Sequence, residues 1–108
     1  MSHIVTLGFQ PTSIPLLIDA CMQLRWAYSA APDSLRVRTP SGFPIMFRQQ
    51  AGTDTLTATA EWEATQYTDA LAEAYYLESA KAFAAQEGFD IVSSDKVDGV
   101  LEIVMVCE

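Results

Sequence analysis

The sequence predicts an α+β fold of two layers, a mostly antiparallel sheet with two helices packed on one face. Several segments alternate apolar and polar side chains with the period of a half-buried strand. Two others repeat apolar residues every three or four positions, as amphipathic helices do. The breaks between strands are short and rich in Gly, Pro, Ser and Asp, which suits strands in hairpin-like succession. At 108 residues, half of them hydrophobic, the chain is expected to form one domain over residues 1–108.

From His3 to Phe9 an opening strand places Val5, Leu7 and Phe9 on one side. Thr12 or Ser13 can cap a helix whose first turn accepts Pro15. Ile14, Leu17, Ile18, Cys21 and Leu24 then form its apolar stripe, and Arg25 lies where a cation suits the negative helix end. Trp26-Ala27-Tyr28 reads as a short strand. After the turn 31–34, Leu35 and Val37 face inward, with Arg36 and Arg38 outward. Beyond a second turn at 39–42, Phe43, Ile45 and Phe47 repeat the alternation. The clearest strand follows the break at 51–54, with Leu56, Ala58, Ala60 and Trp62 on one side and Thr55, Thr57, Thr59 and Glu61 on the other.

Thr65 or Thr68 opens a second helix that runs to about Glu87, with Gly88 as its left-handed end. This helix reads as apolar nearly all round. Tyr67, Leu71, Ala74 and Ala85 fall on one side of the wheel, Ala72, Tyr76 and Phe83 on the other. A single sheet face covers only one of these stripes. Phe89–Ser93 and Val100–Val106 read as closing strands, with Asp98-Gly99 as a hairpin signal.

Fourteen acids against six bases give a net charge of -8. Residues 1–54 hold Asp19, Asp33 and Asp54 against Arg25, Arg36, Arg38 and Arg48, a net +1. Residues 55–108 hold the other eleven acids against Lys81 and Lys96, a net -9. The acidic balance argues against direct nucleic-acid binding, whose affinity comes mainly from Lys and Arg on phosphates. No run of about 20 apolar residues exists to span a membrane. A mean hydropathy of +0.14 points to apolar surface shared with a second subunit or partner. With no leader-like segment ahead of the first strand, Cys21 and Cys107 are expected as thiols in a reducing, cytoplasmic setting.

No catalytic set stands out, and no cofactor is expected. His3 is the only histidine, and Cys21, Cys107 and His3 lack the short ligand spacing of structural zinc sites. Glu61 and Glu63, expected on one strand face, would serve acid–base work only inside a cleft. Glu78 and Lys81 can pair across one helical turn. Arg36 and Arg38 present two guanidinium groups on one strand face, a possible anion contact, and also discourage edge pairing. No phosphate-binding glycine loop occurs.

The start Met1-Ser2-His3-Ile4-Val5-Thr6, the stretch Ala74-Tyr75-Tyr76-Leu77-Glu78-Ser79-Ala80-Lys81, the exit Ala84 to Gly88 and the Asp98-Gly99 hairpin together resemble a family of small proteins. It is the chloroplast open-reading-frame family called Ycf-thirty-five, found also in cyanobacteria, other bacteria and some phages. The resemblance covers both ends of the chain; residues 20–60 are dissimilar and shorter than usual. The family has no assigned activity, so no catalytic residue carries over. The resemblance implies a plastid-stromal or bacterial cytoplasmic setting, or host cytoplasm for a phage member. Such genes near an AAA-type ATPase in some bacteria also suggest an adaptor role.

The leading expectation is therefore a non-enzymatic interaction module or adaptor that associates through the helix at about 65–87. Ala72, Tyr76, Phe83, Tyr75 and Leu77 are its candidate interface, in a homodimer or on a larger machine. The alternative is an acidic inhibitor, phage-encoded in one version, that blocks a basic site on a host protein. A third reading is a ligand-binding or enzymatic dimer with Tyr28, Trp62 and Arg38 near a pocket.

Overall fold

The structure, a computed structural model, describes residues 4–107. It is α+β, and all strand pairings are antiparallel. The main sheet holds five strands: β1 (Ile4–Thr6), β2 (Tyr28–Ala31), β3 (Ser34–Arg38), β4 (Pro44–Gln49) and β5 (Leu56–Glu61), in the order β1-β5-β4-β3-β2. Helices α1 (Ile14–Leu24) and α2 (Thr68–Glu87) cover one face. The alternation in the sequence sets which face. Leu35 and Val37, Ile45 and Phe47, and Leu56 and Ala58 are all fully buried beneath the helices.

Helix α1 begins as its residues demand, with Ser13 Oγ accepting from the Leu16 amide at 3.2 Å and Pro15 in the first turn. Its C-terminal end is capped by Arg25, at the helix end where a cation is expected. Arg25 adopts a left-handed conformation (φ 61°), and the Arg25 and Trp26 amides donate to the carbonyls of Met22 and Cys21. Trp26 is thereby tied to the helix, so β2 begins only at Tyr28. Its ring instead meets Tyr67 edge-on at 5.9 Å. Phe43 also falls outside its expected strand, in the loop before β4.

Strand β5 stops at Glu61. Residues Trp62–Tyr67 then form a 3₁₀ turn in which Thr65 Oγ1 donates to the Trp62 carbonyl at 2.8 Å. Trp62 is therefore 67% exposed and not on the inner face, and Glu63 leaves the strand that would have aligned it with Glu61. The α-helix proper starts at Thr68 and ends at Gly88 (φ 78°), a conformation that glycine adopts without steric cost.

That left-handed residue also accounts for the largest departure from a single sheet. The chain passes from Gly88 directly into β6 (Phe89–Val97), leaving no linker with which to reach a sheet edge. β6 and β7 (Val100–Cys107) form a separate hairpin that lies back along α2. Both residues of its turn have positive φ, 51° at Asp98 and 79° at Gly99, the tight geometry matched to strand twist.

Phe9, in the link between β1 and α1, ties the layers together. Its ring makes edge-on contacts with Phe47 of the sheet (6.0 Å) and with Tyr75 (5.5 Å) and Tyr76 (5.9 Å) of α2. Beside it Tyr75 Oη accepts from the Thr12 amide at 3.1 Å, pinning the entry of α1 to α2. Phe9→Ala should lower stability by about 3–5 kcal/mol, because the void lies between three elements. Tyr75→Phe should cost only about 1 kcal/mol. Urea unfolding midpoints would measure both, and equal losses would contradict this division of roles.

Candidate functional site

Helix α2 presents two different sides. Leu71 and Ala74 are buried, Tyr67 is half-buried and Ala85 is exposed, so most of the first stripe faces the core. The second stripe faces outward, with Tyr76 54% and Phe83 51% exposed and Ala72 half-buried. The helix is not a uniformly apolar rod, since Asp69, Glu73, Glu78, Lys81 and Glu87 interrupt it. Two candidate interface residues change place. Tyr75 is only 6% exposed and belongs to the core, through its contacts with Phe9 and Thr12. Leu77 is half-buried where α2 meets the hairpin, sharing a cleft with Leu24 and Leu101.

The hairpin crosses the helix above Glu73. Lys96 Nζ lies 2.7 Å from Glu73 Oε1, and this carboxylate holds the ammonium pKa above its ordinary value. Phe83 stacks on Phe89 with centroids 6.0 Å apart and planes at 12°. Between the outward stripe and β7 runs a groove of about 490 Å³, lined by Ala72 and Tyr76 on one wall and Leu101 and Ile103 on the other. Asp69 and the Glu73–Lys96 pair form its polar margin. Glu78 and Lys81 pair at 3.3 Å, mostly at the surface, where such a pair adds little.

On the far side of the molecule the main sheet is uncovered. Arg36 and Arg38 of β3 and Arg48 of β4 project there, all exposed, and none has an ion-pair partner among the described residues. Arg36 and Arg38 border a shallow concavity of about 420 Å³ with Tyr28, Ser29 and Gly42. Trp62 is not part of it. The sequence reading joined Arg36 to Arg38 but missed Arg48, although the alternation that buries Phe47 turns Arg48 outward. It also missed the Glu73–Lys96 lock, which depends on the hairpin folding back.

The remaining chemistry-bearing groups do not converge. Glu61 lies on the open sheet face with Oε2 buried and unpartnered, while Glu63 is exposed on the 3₁₀ turn. Cys21 is buried and Cys107 lies at the exposed end of the hairpin; His3 lies outside the described residues. Among the described residues no three His, Cys, Asp or Glu side chains are grouped to hold a metal. No described helix is long and apolar enough to cross a membrane. Compared with family models, curated proteins and solved structures, the chain finds no match.

Burial pushes the Cys21 thiol up to about 11, from 9.0. The folded state thus keeps its proton where the unfolded thiol loses it. This contribution to stability is intact below pH 9 and is lost as pH rises from 9 to 11. Cys21 should resist a thiol reagent at pH 8 until urea unfolds the chain. Native and unfolded labelling rates, read by peptide mass, would differ little if the burial were wrong.

Proposed function

We propose that the protein is a non-enzymatic interaction module whose groove between α2 and β7 receives apolar side chains of a protein partner. The observation that carries this reading is the outward stripe. Two large aromatic rings stay half in solvent, Tyr76 beside the apolar wall of β7 and Phe83 further along the same stripe against Phe89 of β6. Adjacent exposed aromatic and aliphatic side chains are a common mark of association surfaces. The acidic margin favours a partner with Lys or Arg around its apolar anchor. A larger machine, such as the AAA-type ATPase that the family resemblance suggests, or a second copy of the chain would meet these requirements. A cytoplasmic or stromal setting accords with that resemblance.

A second reading is an inhibitor that covers a basic site on another protein. Its support is the exposed acidic set Asp90, Asp95, Asp98 and Glu102 on the hairpin, with Lys96 occupied by Glu73. Such binding would weaken steeply with salt, whereas groove binding would be less salt-sensitive.

Tyr76→Lys places charge in the groove and Phe83→Lys places it further along the same outward stripe, without opening the core. Both variants should stay folded in urea unfolding, each losing about 0.5–1.5 kcal/mol with the ring contacts it removes. Each should lose partner capture by about tenfold or more, a loss typical of anchor residues. Affinity purification with mass spectrometry, run beside light scattering, would compare them with the parent. Unchanged capture by both variants would overturn the groove assignment.

A further inference from the structure

The outer face of the hairpin and the open face of the main sheet are complementary. On the hairpin, Lys96 reaches Glu73 of α2, and Leu101, paired across from it, lines the groove against α2 with Ile103. A bulge at Val92 shifts the alternation within β6, and the opposite face of the ribbon carries Val97 paired with Val100, together with Val104 and Val106, all exposed, Val100 by 67%. Asp90, Asp95 and Glu102 share this outer face, and Asp95 lies directly across from Glu102. Two carboxylates in opposed positions destabilise a strand pair unless a cation joins them. The described structure puts no cation on that pair, since Lys96 turns the other way to Glu73.

The open sheet face has the matching character. Ile4, Pro44 and Met46 form an apolar strip beside the Thr57 and Thr59 side chains, and Arg36, Arg38 and Arg48 flank it. Among the described residues these three guanidinium groups have no ion-pair partner, and Glu61, at the Ile4 end of the face, pairs with none of them. The layers run from open face to sheet, helices, hairpin and outer hairpin face, so the two surfaces look in opposite directions. One chain cannot join them, but successive copies can.

We propose that the outer hairpin face of one copy docks on the open sheet face of the next, giving head-to-tail self-association. Symmetric alternatives are disfavoured by charge: hairpin on hairpin opposes Asp90, Asp95 and Glu102 to themselves, and sheet on sheet opposes arginine to arginine. The ribbon is about 5 Å between its two strands and the open face about 19 Å between its outer strands, so the face is wide enough to seat it. The contact is sheet-on-sheet packing, with valines over the Ile4–Met46 strip and arginines reaching the opposed Asp95–Glu102 pair. Such an interface joins two different surfaces, so it propagates until a ring closes or a filament forms.

The contact uses neither Tyr76 nor Phe83, so it stands or falls apart from the groove. Its test takes three proteins at low salt in sedimentation velocity: the full chain, a sheet variant (Arg36→Glu, Arg38→Glu, Arg48→Glu) and a hairpin variant (Asp90→Lys, Asp95→Lys, Glu102→Lys). The parent should form concentration-dependent assemblies larger than a dimer. Each variant alone should be monomeric, its association weakened about a hundredfold or more. Mixing the two should restore assembly, because each reversed surface then meets its complement. Near-UV circular dichroism checks the fold; if either triple variant is unfolded, Arg36→Glu and Glu102→Lys replace the triples. A parent that stays monomeric, a variant that assembles alone, or a mixture that fails to assemble would each overturn the proposal.

Discussion

The position of α2 between two β-layers is the constraint on which most of the architecture depends. One side of the helix must close the sheet's apolar face, and Leu71, Ala74 and Tyr75 do so. The left-handed turn at Gly88 then sends the chain straight back, so another side of the same helix must carry the hairpin. A two-stranded ribbon is at best marginally stable by itself. Here it leans on the Phe83–Phe89 stack, the Glu73–Lys96 pair and the Leu77–Leu101 contact region. Weakening α2 would therefore loosen both layers, whereas weakening the hairpin would leave the sheet and its core intact.

The charge distribution acquires a spatial meaning from that layering. The sequence divides into a slightly basic half and a strongly acidic half. In three dimensions, three of the four arginines occupy the uncovered sheet face, while acids populate the helix and hairpin on the opposite side. Both lysines lie near helix carboxylates, Lys81 with Glu78 and Lys96 with Glu73. The cations left for external contacts are thus arginines, whose planar groups can engage carboxylates with two parallel hydrogen bonds.

Local patterning made the main sheet and both helices legible. Strict alternation identified the buried residues of β3 and β5, and Ser13, Pro15 and Gly88 marked helix boundaries through specific backbone chemistry. The failures arose where hydrogen bonding outweighed alternation. Trp26 continues the helix exit through the Cys21 carbonyl, and Trp62 enters a 3₁₀ turn closed by Thr65. The hairpin turn was readable from Asp98-Gly99, but the separation of β6 and β7 from the main sheet was not. It follows from the absence of a linker together with where α2 lies, and the second of these is a tertiary fact. Of the candidate interface, the outward stripe of Ala72, Tyr76 and Phe83 was visible on a helical wheel. Tyr75 was not separable from Tyr76 without the Phe9 contact that draws it inward.

Phe9 shows how the core and the exposed groove are coupled. Its ring touches Phe47 and Tyr75 inside the core and also the partly exposed Tyr76. Tyr76 is therefore not a freely rotating surface ring, because its inner edge is set by a residue anchored to the sheet. A ring restrained in this way loses less side-chain freedom on binding than an unsupported one, and the ordering of interface side chains is a recurring cost of association. Phe83 is held similarly through its stack on Phe89. The two exposed rings are thus prearranged by the elements that stabilise the fold, one by the sheet through Phe9 and the other by the hairpin through Phe89.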